Sequence, residues 1–455
     1  MSGTFSSLNG ALSALRYNRV AMDVASGNIA NAGTTGYARR SAIAQATGAP
    51  AVPAIWSRWE GAGDGVEASS VTRMVDPLLD ARSRAEHATS SFLDTRSTAL
   101  SRVETSIGEP GDGGVAAALT AFQSSWHDLA NNPGDTAART QVLTRAQTLR
   151  STISTQSSAV SNEWADQRSR LDALSAETNQ VAGQLADLNR GLRSADLAGT
   201  DAGDLLDKRD QLTQRLAELT GASATINQDT TVSVTVGGRS LVSGNTANAV
   251  TVGGSSNLAG APGNPVTFSV NGTAVTLGGG EIGGTQQVLS SDLPGYAAKL
   301  DSFVATLVTQ VNTRHGQGVD LDGAAGGAFF TGTSAADLQV ALTDPRKIAA
   351  ADATKGGLDN TNATAIGTLD LGADQYRSLV TGFGTTVSSA GTASTTQAAL
   401  VSQVDAARES VSGVNTDEEM VNLMAAQRGY EGASRVLTTI DSMLDTLINH
   451  TGLVG

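Results

Sequence analysis

The chain has 455 residues, enough for two to four domains, with 16% charged and only 4% aromatic side chains. Its net charge of −14 is spread along the chain and argues against a nucleic-acid binder, and the lack of cysteine removes disulfides, thiolate nucleophiles and cysteine metal sites together. No run of ~18 apolar residues offers a membrane span, and no basic stretch followed by an apolar one opens the chain. Two options stay open: a cytoplasmic protein, or one exported without a cleaved signal.

From residue 5 to 32 the apolar positions follow a heptad. Leu8, Leu15, Met22 and Ile29 are spaced by seven; Ala11, Ala25 and Ala32 fill three of the intervening seam places and Asn18 the fourth. Next comes a motif, Asn28-Ile-Ala-Asn31-Ala-Gly33-Thr-Thr35-Gly36-Tyr37, in which Gly33 and Gly36 are expected to end the helix. Residues 38–76, rich in Ala, Gly and Pro, read as an extended linker with room for a short hairpin; Trp56 and Trp59 are expected to pack on a neighbour.

Helical pattern resumes at Pro77, a favoured first-turn residue, and runs to about 107. A second helix is expected over 115–130. From 136 to about 194 no strong breaker interrupts a 3/4 apolar spacing, which predicts a helix of roughly 90 Å, bent if anywhere at Gly183. Another helix covers 205–219. The composition then changes: residues 221–290 hold fourteen glycines and only three charges, Asp229, Arg239 and Glu281. Alternating runs at 231–236 and 266–277, the second broken by Asn271-Gly272, predict hairpins in a small inserted β-domain. Helix returns over 293–313. Residues 314–372 read as irregular, and a long helix follows over 373–411.

The run 412–449 is a second heptad. Leu423, Tyr430, Leu437 and Leu444 are spaced by seven, and Ala426, Ala433, Ile440 and Leu447 fall three residues after each. Thr416 with Asp417, Glu418 and Glu419 reads as a capped start, its acids exposed where the helix dipole favours them. Residues 1–40 carry four arginines against Asp23, a net of +3; residues 412–455 carry six acids against Arg428 and Arg435, a net of −4. That balance supports pairing of the two ends along their seams, although the period alone is equally met by two amphipathic helices docked on a core. The fold class expected is mainly α with a small β insert, elongated and built from discontinuous domains. Residues 1–37 and 413–455 form a terminal coiled-coil assembly domain, and 38–76 the linker. A helical bundle takes 77–220 and 291–412, and the β-rich insert 221–290.

The search for chemistry returns little. His87, His127, His315 and His450 are scattered, none in an HExxH frame, and each reads as a surface or half-buried helix residue. No nucleophile elbow, phosphate loop or dinucleotide fingerprint occurs. Asp320-Leu-Asp322-Gly323 starts like a calcium loop, but Ala324 and Ala325 stand where the next ligands belong and no Glu closes it, so it reads as a turn. No catalytic, cofactor-binding or metal-ligating residue is assigned.

Both ends carry a resemblance. Residues 5–15 (FSSLNGALSAL) with 26–39 (SGNIANAGTTGYAR) resemble the N-terminal signature of bacterial flagellar rod, hook and hook-associated axial proteins. Residues 412–431 (SGVNTDEEMVNLMAAQRGYE) and 443–449 (MLDTLIN) look like the matching C-terminal one. The interior segments 202–212 (AGDLLDKRDQL) and 311–323 (VNTRHGQGVDLDG), with Phe329 and Phe330, resemble the FlgK family of first hook-associated, hook–filament junction proteins. That resemblance implies a structural protein of the extracellular flagellum, not an enzyme, exported unfolded by the flagellar type III apparatus. Its implied partners are the hook protein, the second junction protein, copies of itself in a ring, and a cytoplasmic export chaperone at the C-terminal helix. It also implies that Asn28, Asn31, Gly33, Thr35, Gly36 and Tyr37 form the axial-protein motif and that the terminal seams serve assembly.

Overall fold

The computed structural model describes the backbone of residues 2–47, 65–446 and 449, and side chains from Ser7 onward within those ranges. Trp56, Trp59, Leu447 and His450 lie outside the described residues. The chain is 65% helical with a few small sheets.

Helix α1 (Ser2–Asn31) leads into an antiparallel hairpin of β1 (Arg40–Thr47) and β2 (Gly65–Arg73), so the expected linker is a folded element. The hairpin lies on α1, where Ser13 Oγ accepts from the Val66 N–H at 3.1 Å. Helix α2 (Pro77–Ile107) starts as its sequence dictates. Asp76 caps it by accepting from the Leu78 N–H at 2.8 Å, Pro77 presets the first turn, and Gly108 closes it at φ +64°. Helix α3 (Val115–Asn131) follows, then α4 (Thr136–Ala198), capped by Asp135 and unbroken through Gly183. Its 63 residues span about 95 Å and bury one face from Val142 to Leu192. Helix α5 is Gly203–Thr220.

The insert contains two small antiparallel sheets. One has the order β3 (Ser223–Ile226), β4 (Val232–Val236), β5 (Arg239–Ser243), β6 (Thr246–Ala247); the other has β7 (Val250–Gly253), β8 (Thr267–Val270), β9 (Thr273–Val275). Gly237-Gly238 and Asn271-Gly272 make the two-residue turns, all four at positive φ, which is the twist a tight hairpin needs. Two asparagines of α4 attach the insert to the bundle. The Asn189 side chain accepts from the Val232 N–H and donates to the Val232 and Gly244 carbonyls; Asn179 exchanges the same pair of bonds with Val250. Edge backbone groups that would otherwise be buried unpaired are thereby satisfied.

The β-rich segment ends earlier than expected. Helix α6 (Gly280–Gln287) begins inside 221–290 and runs through a π-helical turn (Val288–Asp292) into α7 (Leu293–His315). Its glycines hid it, because glycine lowers helix propensity. They are there for packing. A Cβ on Gly284 would lie 2.5 Å from the Phe92 carbonyl oxygen of α2, so only glycine lets the two backbones meet. Gly284→Ala is expected to destabilise the chain by roughly 1–3 kcal/mol in urea unfolding. Gly295→Ala, in the first turns of α7 with nothing within 4 Å of its Cβ, should be neutral or stabilising. Equal midpoints for the two variants would exclude a tight α2–α6 crossing.

The segment 314–372, expected to be irregular, begins with the end of α7 and then holds short paired strands and α8 (Thr361–Gly367) around a buried cluster of Phe122, Trp126, Phe329 and Phe330. Helix α9 (Ala373–Ser412) packs along α2, and α10 (Thr416–Asp445) closes the chain against α1. No helix among the described residues is long and apolar enough to cross a membrane.

Candidate functional site

The two chain ends meet. Asn28 touches Glu419, and Asn18 lies over Gly429, so α1 and α10 run antiparallel. A Cβ on Gly429 would sit 2.5 Å from Asn18 Oδ1, and Asn18 donates to the Ala14 carbonyl at 2.8 Å. The polar place in the first heptad thus faces a glycine in the second. The most buried seam positions are four alanines, Ala11 and Ala25 on α1 and Ala426 and Ala433 on α10, with one larger residue, Ile440. Leu8, Leu15, Met22, Ile29, Leu423, Leu437 and Leu444 are half-buried beside them, while Tyr430 is exposed at 40% and Ala32 is exposed beyond the helix end. Apart from Ile440, the larger side chains therefore flank the contact rather than fill it. Charge does not run along the seam as expected: among the described residues Arg16 and Arg19 meet no carboxylate of α10.

Charge acts at one end instead, where the terminal pair joins the helical bundle. Asn28 is fully buried there. Its Nδ2 donates to Glu419 Oε2 at 2.9 Å and to the Arg40 carbonyl at 2.8 Å; its Oδ1 accepts from the Arg40 N–H at 3.0 Å and the Tyr37 hydroxyl at 2.9 Å. One amide therefore ties α1, the hairpin and α10. Arg39 adds a fork, Nε to Glu419 at 2.8 Å and Nη2 to Glu418 at 2.9 Å. Its hydrogen bond to Glu418 leads the effects that raise its pKa. Glu419 is thus 3% exposed, not the solvated acid its place in a helix start suggested, and the cap itself is Asn415, accepting from the Asp417 N–H at 3.0 Å.

The second half of the joint is on α5. Arg40 and Arg73 face each other across the β1–β2 ladder, a like-charge pair that is unfavourable by itself. Asp204, Asp207 and Asp210, three residues apart, present one acidic edge of α5 to them. Arg73 Nη2 reaches Asp207 at 2.7 Å and Asp210 at 2.8 Å; Arg40 reaches Asp204, and Asp207 at 3.2 Å. Arg209 pairs with Asp210 at 2.8 Å. The Asp207 side chain is 10% exposed, so these are largely desolvated pairs. Arg40 also lies 5.2 Å from the Tyr37 ring centroid, and burial pushes the Tyr37 hydroxyl above its ordinary value against the pull of Arg40. Gln211 completes the joint by donating to the Thr35 carbonyl at 2.7 Å.

The motif residues divide by role. Gly36 holds φ +79° and its Cβ would strike Gln211, so glycine is required; Gly33 is exposed with no such constraint, and α1 ends at Asn31 just before it. Asn31 donates to the Gly27 carbonyl and accepts from Thr34, tightening the helix end. Sequence reasoning missed Arg40, Arg73, Asp207 and Glu419 as a group. The available signal was the three-residue spacing of Asp204, Asp207 and Asp210, which puts the acids along one edge of a helix.

Elsewhere the structure places the remaining candidates in structural roles. Asp320 and Asp322 face Lys347 and Arg346, and Asp320 Oδ1 accepts from the Asp322 and Ala324 N–H groups. His315 is fully buried, contrary to the surface or half-buried place expected for it. Among the described residues no group of three His or acidic side chains is arranged to hold a metal.

Comparison with known proteins follows the same division of the chain. The model of the flagellar hook-associated protein FlgK helical domain matches residues 100–330. Models of the flagella basal body rod protein and of the flagellar basal body rod FlgEFG protein C-terminal region match 8–37 and 402–450, the two halves of the terminal pair. The chain is similar to flagellar hook-associated protein 1 of Bacillus subtilis, 26% identical over 507 residues and covering 100% of both chains. It is also similar to that of Escherichia coli, 26% identical over 554 residues, covering 97% of this chain and 99% of the other. The flagellar hook junction protein FlgK from Burkholderia pseudomallei shares the fold at TM-score 0.66 and 18% identity, over 73% of this chain and 100% of that one. With a helical-domain match across half its length, and relatives aligned from end to end, the chain belongs to the FlgK family of flagellar hook-associated proteins.

Proposed function

We propose that the chain is a structural subunit joining hook to filament, secreted through the flagellar type III apparatus and assembled outside the cell. Its partners in this reading are the hook protein, the second junction protein, neighbouring copies in a ring and, before export, a cytoplasmic chaperone. No catalytic or cofactor-dependent step is assigned to it. The carrying observation is the joint: both chain ends are held by one buried charge network against a helical domain of the matched family. Such a joint sets the angle between an assembly element and a rigid body. The exposed Met420, Val421, Met424 and Met443 of α10 offer apolar surface for a chaperone to hold and for assembly to cover. The rival reading, another flagellar axial protein (hook, distal rod or second junction protein), does not account for the match of the FlgK helical domain over 100–330. Deleting the gene should leave hooks without filaments and shed flagellin into the medium, and a tagged copy should label the hook tip. Filaments in the deletion strain would refute the reading.

The seam belongs to the same reading. Each buried alanine methyl contributes about 1 kcal/mol or less, so α1 and α10 hold most firmly near the joint and least at their far ends. In the isolated chain, protease is expected to trim those far ends before it cuts the helical bundle. Leu437→Asp, half-buried beside Ala433 and Ile440, should abolish filament assembly while leaving the bundle's melting transition in place. A motile strain carrying it would remove the seam from the assembly role.

A further inference from the structure

Helix α2 carries an arginine that folding leaves unmatched. Arg84 is only 9% exposed, and among the described residues its guanidinium has no hydrogen-bond or ion-pair partner. The acids that act on it electrostatically are engaged elsewhere. Asp210 pairs with Arg73 and Arg209, each at 2.8 Å, and Asp80 pairs with Arg408 at 2.6 Å. Burial lowers the Arg84 pKa from the ordinary arginine value, against the pull of those two acids. A guanidinium nevertheless stays charged in a protein, so five N–H donors sit in a desolvated place with nothing from the chain to neutralise them.

Arg84 lines a cavity of about 520 Å³. It shares a face of α2 with Ala81 and Ala88, three residues before and four after, and both line the same space. Much of the facing wall is main chain: the Gly237-Gly238 turn of the insert, and Gly278-Gly279, which lead into α6. Helix α6 starts there on Gly279, an N-cap with no side chain to accept from the first-turn N–H groups. Among the described residues no carboxylate lines the cavity. A buried guanidinium and the positive end of a helix thus border one space that holds no acid.

We propose that this cavity binds a small free oxyanion of the phosphate class, held by the Arg84 guanidinium and by main-chain N–H groups at the start of α6. The planar fork of a guanidinium matches two oxygens of such an ion. A helix start adds donors and partial positive charge, and glycine walls let an ion come close to the main chain. The ion would neutralise a charge that folding has already taken out of water, so that part of its binding cost is met beforehand. Its walls come from α2, the insert and the start of α6, so the bound ion would hold the three together. The site does not depend on the junction reading.

The test is urea unfolding of the full-length chain in chloride and in inorganic phosphate, at equal pH and ionic strength. With phosphate at about ten times its dissociation constant, the folded-to-unfolded ratio should rise about tenfold. Phosphate also stabilises folded chains in general, and that effect is common to all variants. The specific response is therefore the excess over Arg84→Met. This variant keeps the volume, removes the unpaired charge, and should match or exceed the wild type in chloride. Ala81 is exposed and lines the cavity one turn before Arg84, so Ala81→Glu brings a carboxylate into the same space. It should raise stability in chloride and lose the specific response. Phosphorus NMR gives a direct reading: the wild type should broaden the phosphate signal, excess sulfate should reverse this, and neither variant should produce it. An equal phosphate response in the wild type and Arg84→Met would overturn the proposal, as would an unbroadened signal with the wild type. If Arg84→Met fails to fold, Ala81→Glu decides: broadening and stabilisation equal to those of the wild type would overturn the site.

Discussion

Asp207→Ala is expected to release the β1–β2 hairpin from α5 and, with it, the terminal helix pair. The carboxylate lies between two guanidinium groups, 2.7 Å from Arg73 and 3.2 Å from Arg40, with its side chain 10% exposed. Its removal leaves two facing arginines with only Asp204 and Asp210 to meet them. Breaking a desolvated pair by deleting one partner costs roughly 3–5 kcal/mol, because the remaining charge stays buried and uncompensated. Hydrogen exchange at the hairpin amides should then accelerate by about 10²- to 10³-fold, with α4 protected as before. Filament assembly should fail, since the angle of the terminal pair is no longer set. Replacing Asp204 the same way should do much less, as its side chain is 90% exposed. Unchanged hairpin exchange in Asp207→Ala would show that the joint is held by packing rather than charge.

The contrast between Asp204 and Asp207 also marks where sequence reading stops. Most helix positions were legible because their signals are local: Pro77 starts a helix and Asn271-Gly272 turns a hairpin, while the long helix, expected to about 194, runs on to Ala198. The heptads of α1 and α10 were legible for the same reason. Which residues in them would be buried was less so, because antiparallel packing against Gly429 brings the backbones close and gives the alanines the centre of the contact. Glu419 was misjudged as a solvated acid since its partners, Asn28 and Arg39, are some 380 to 391 residues away. Long-range ion pairs leave no periodic trace. Helix α6 was hidden by the opposite effect: it holds three glycines that a local rule reads as turn, and two of them, Gly280 and Gly284, are required by a neighbouring backbone. The segment 311–323 shows a third case. Its Asn312 accepts from the Phe329 and Phe330 N–H groups at 2.8 and 2.9 Å and donates to the Phe330 carbonyl at 2.8 Å. A motif recognised by resemblance thus turns out to be a side chain organising the backbone of a loop.

His315 closes that same loop, and it should make the helical domain sensitive to acid. Its Nδ1–H donates to the Gly327 carbonyl at 2.7 Å and its Nε2 accepts from the Ala349 N–H at 2.9 Å, so the ring is neutral and fully buried. Burial pushes its pKa below the ordinary histidine value, against weaker opposing effects of the Gly327 bond and Asp320. The unfolded chain therefore binds a proton here at a higher pH than the folded one does. Stability from this group is complete above about pH 6.5 and is lost as pH falls below it, by up to about 1.4 kcal/mol per pH unit until the folded value is reached. Urea unfolding at pH 7.5, 6.5 and 5.5 should show that slope in the wild type, and His315→Gln, which cannot titrate, should lack it. The two curves should thus converge as pH falls; parallel curves would mean that the ring accepts a proton in place. His315→Ala is expected to cost roughly 3–5 kcal/mol at pH 7.5. It leaves the Gly327 carbonyl and the Ala349 N–H unpaired and opens a void beside Phe329, whose ring centroid is 5.5 Å away. That loss falls on the domain that carries the family's signature, so the variant should fail to build filaments even with its terminal helices intact.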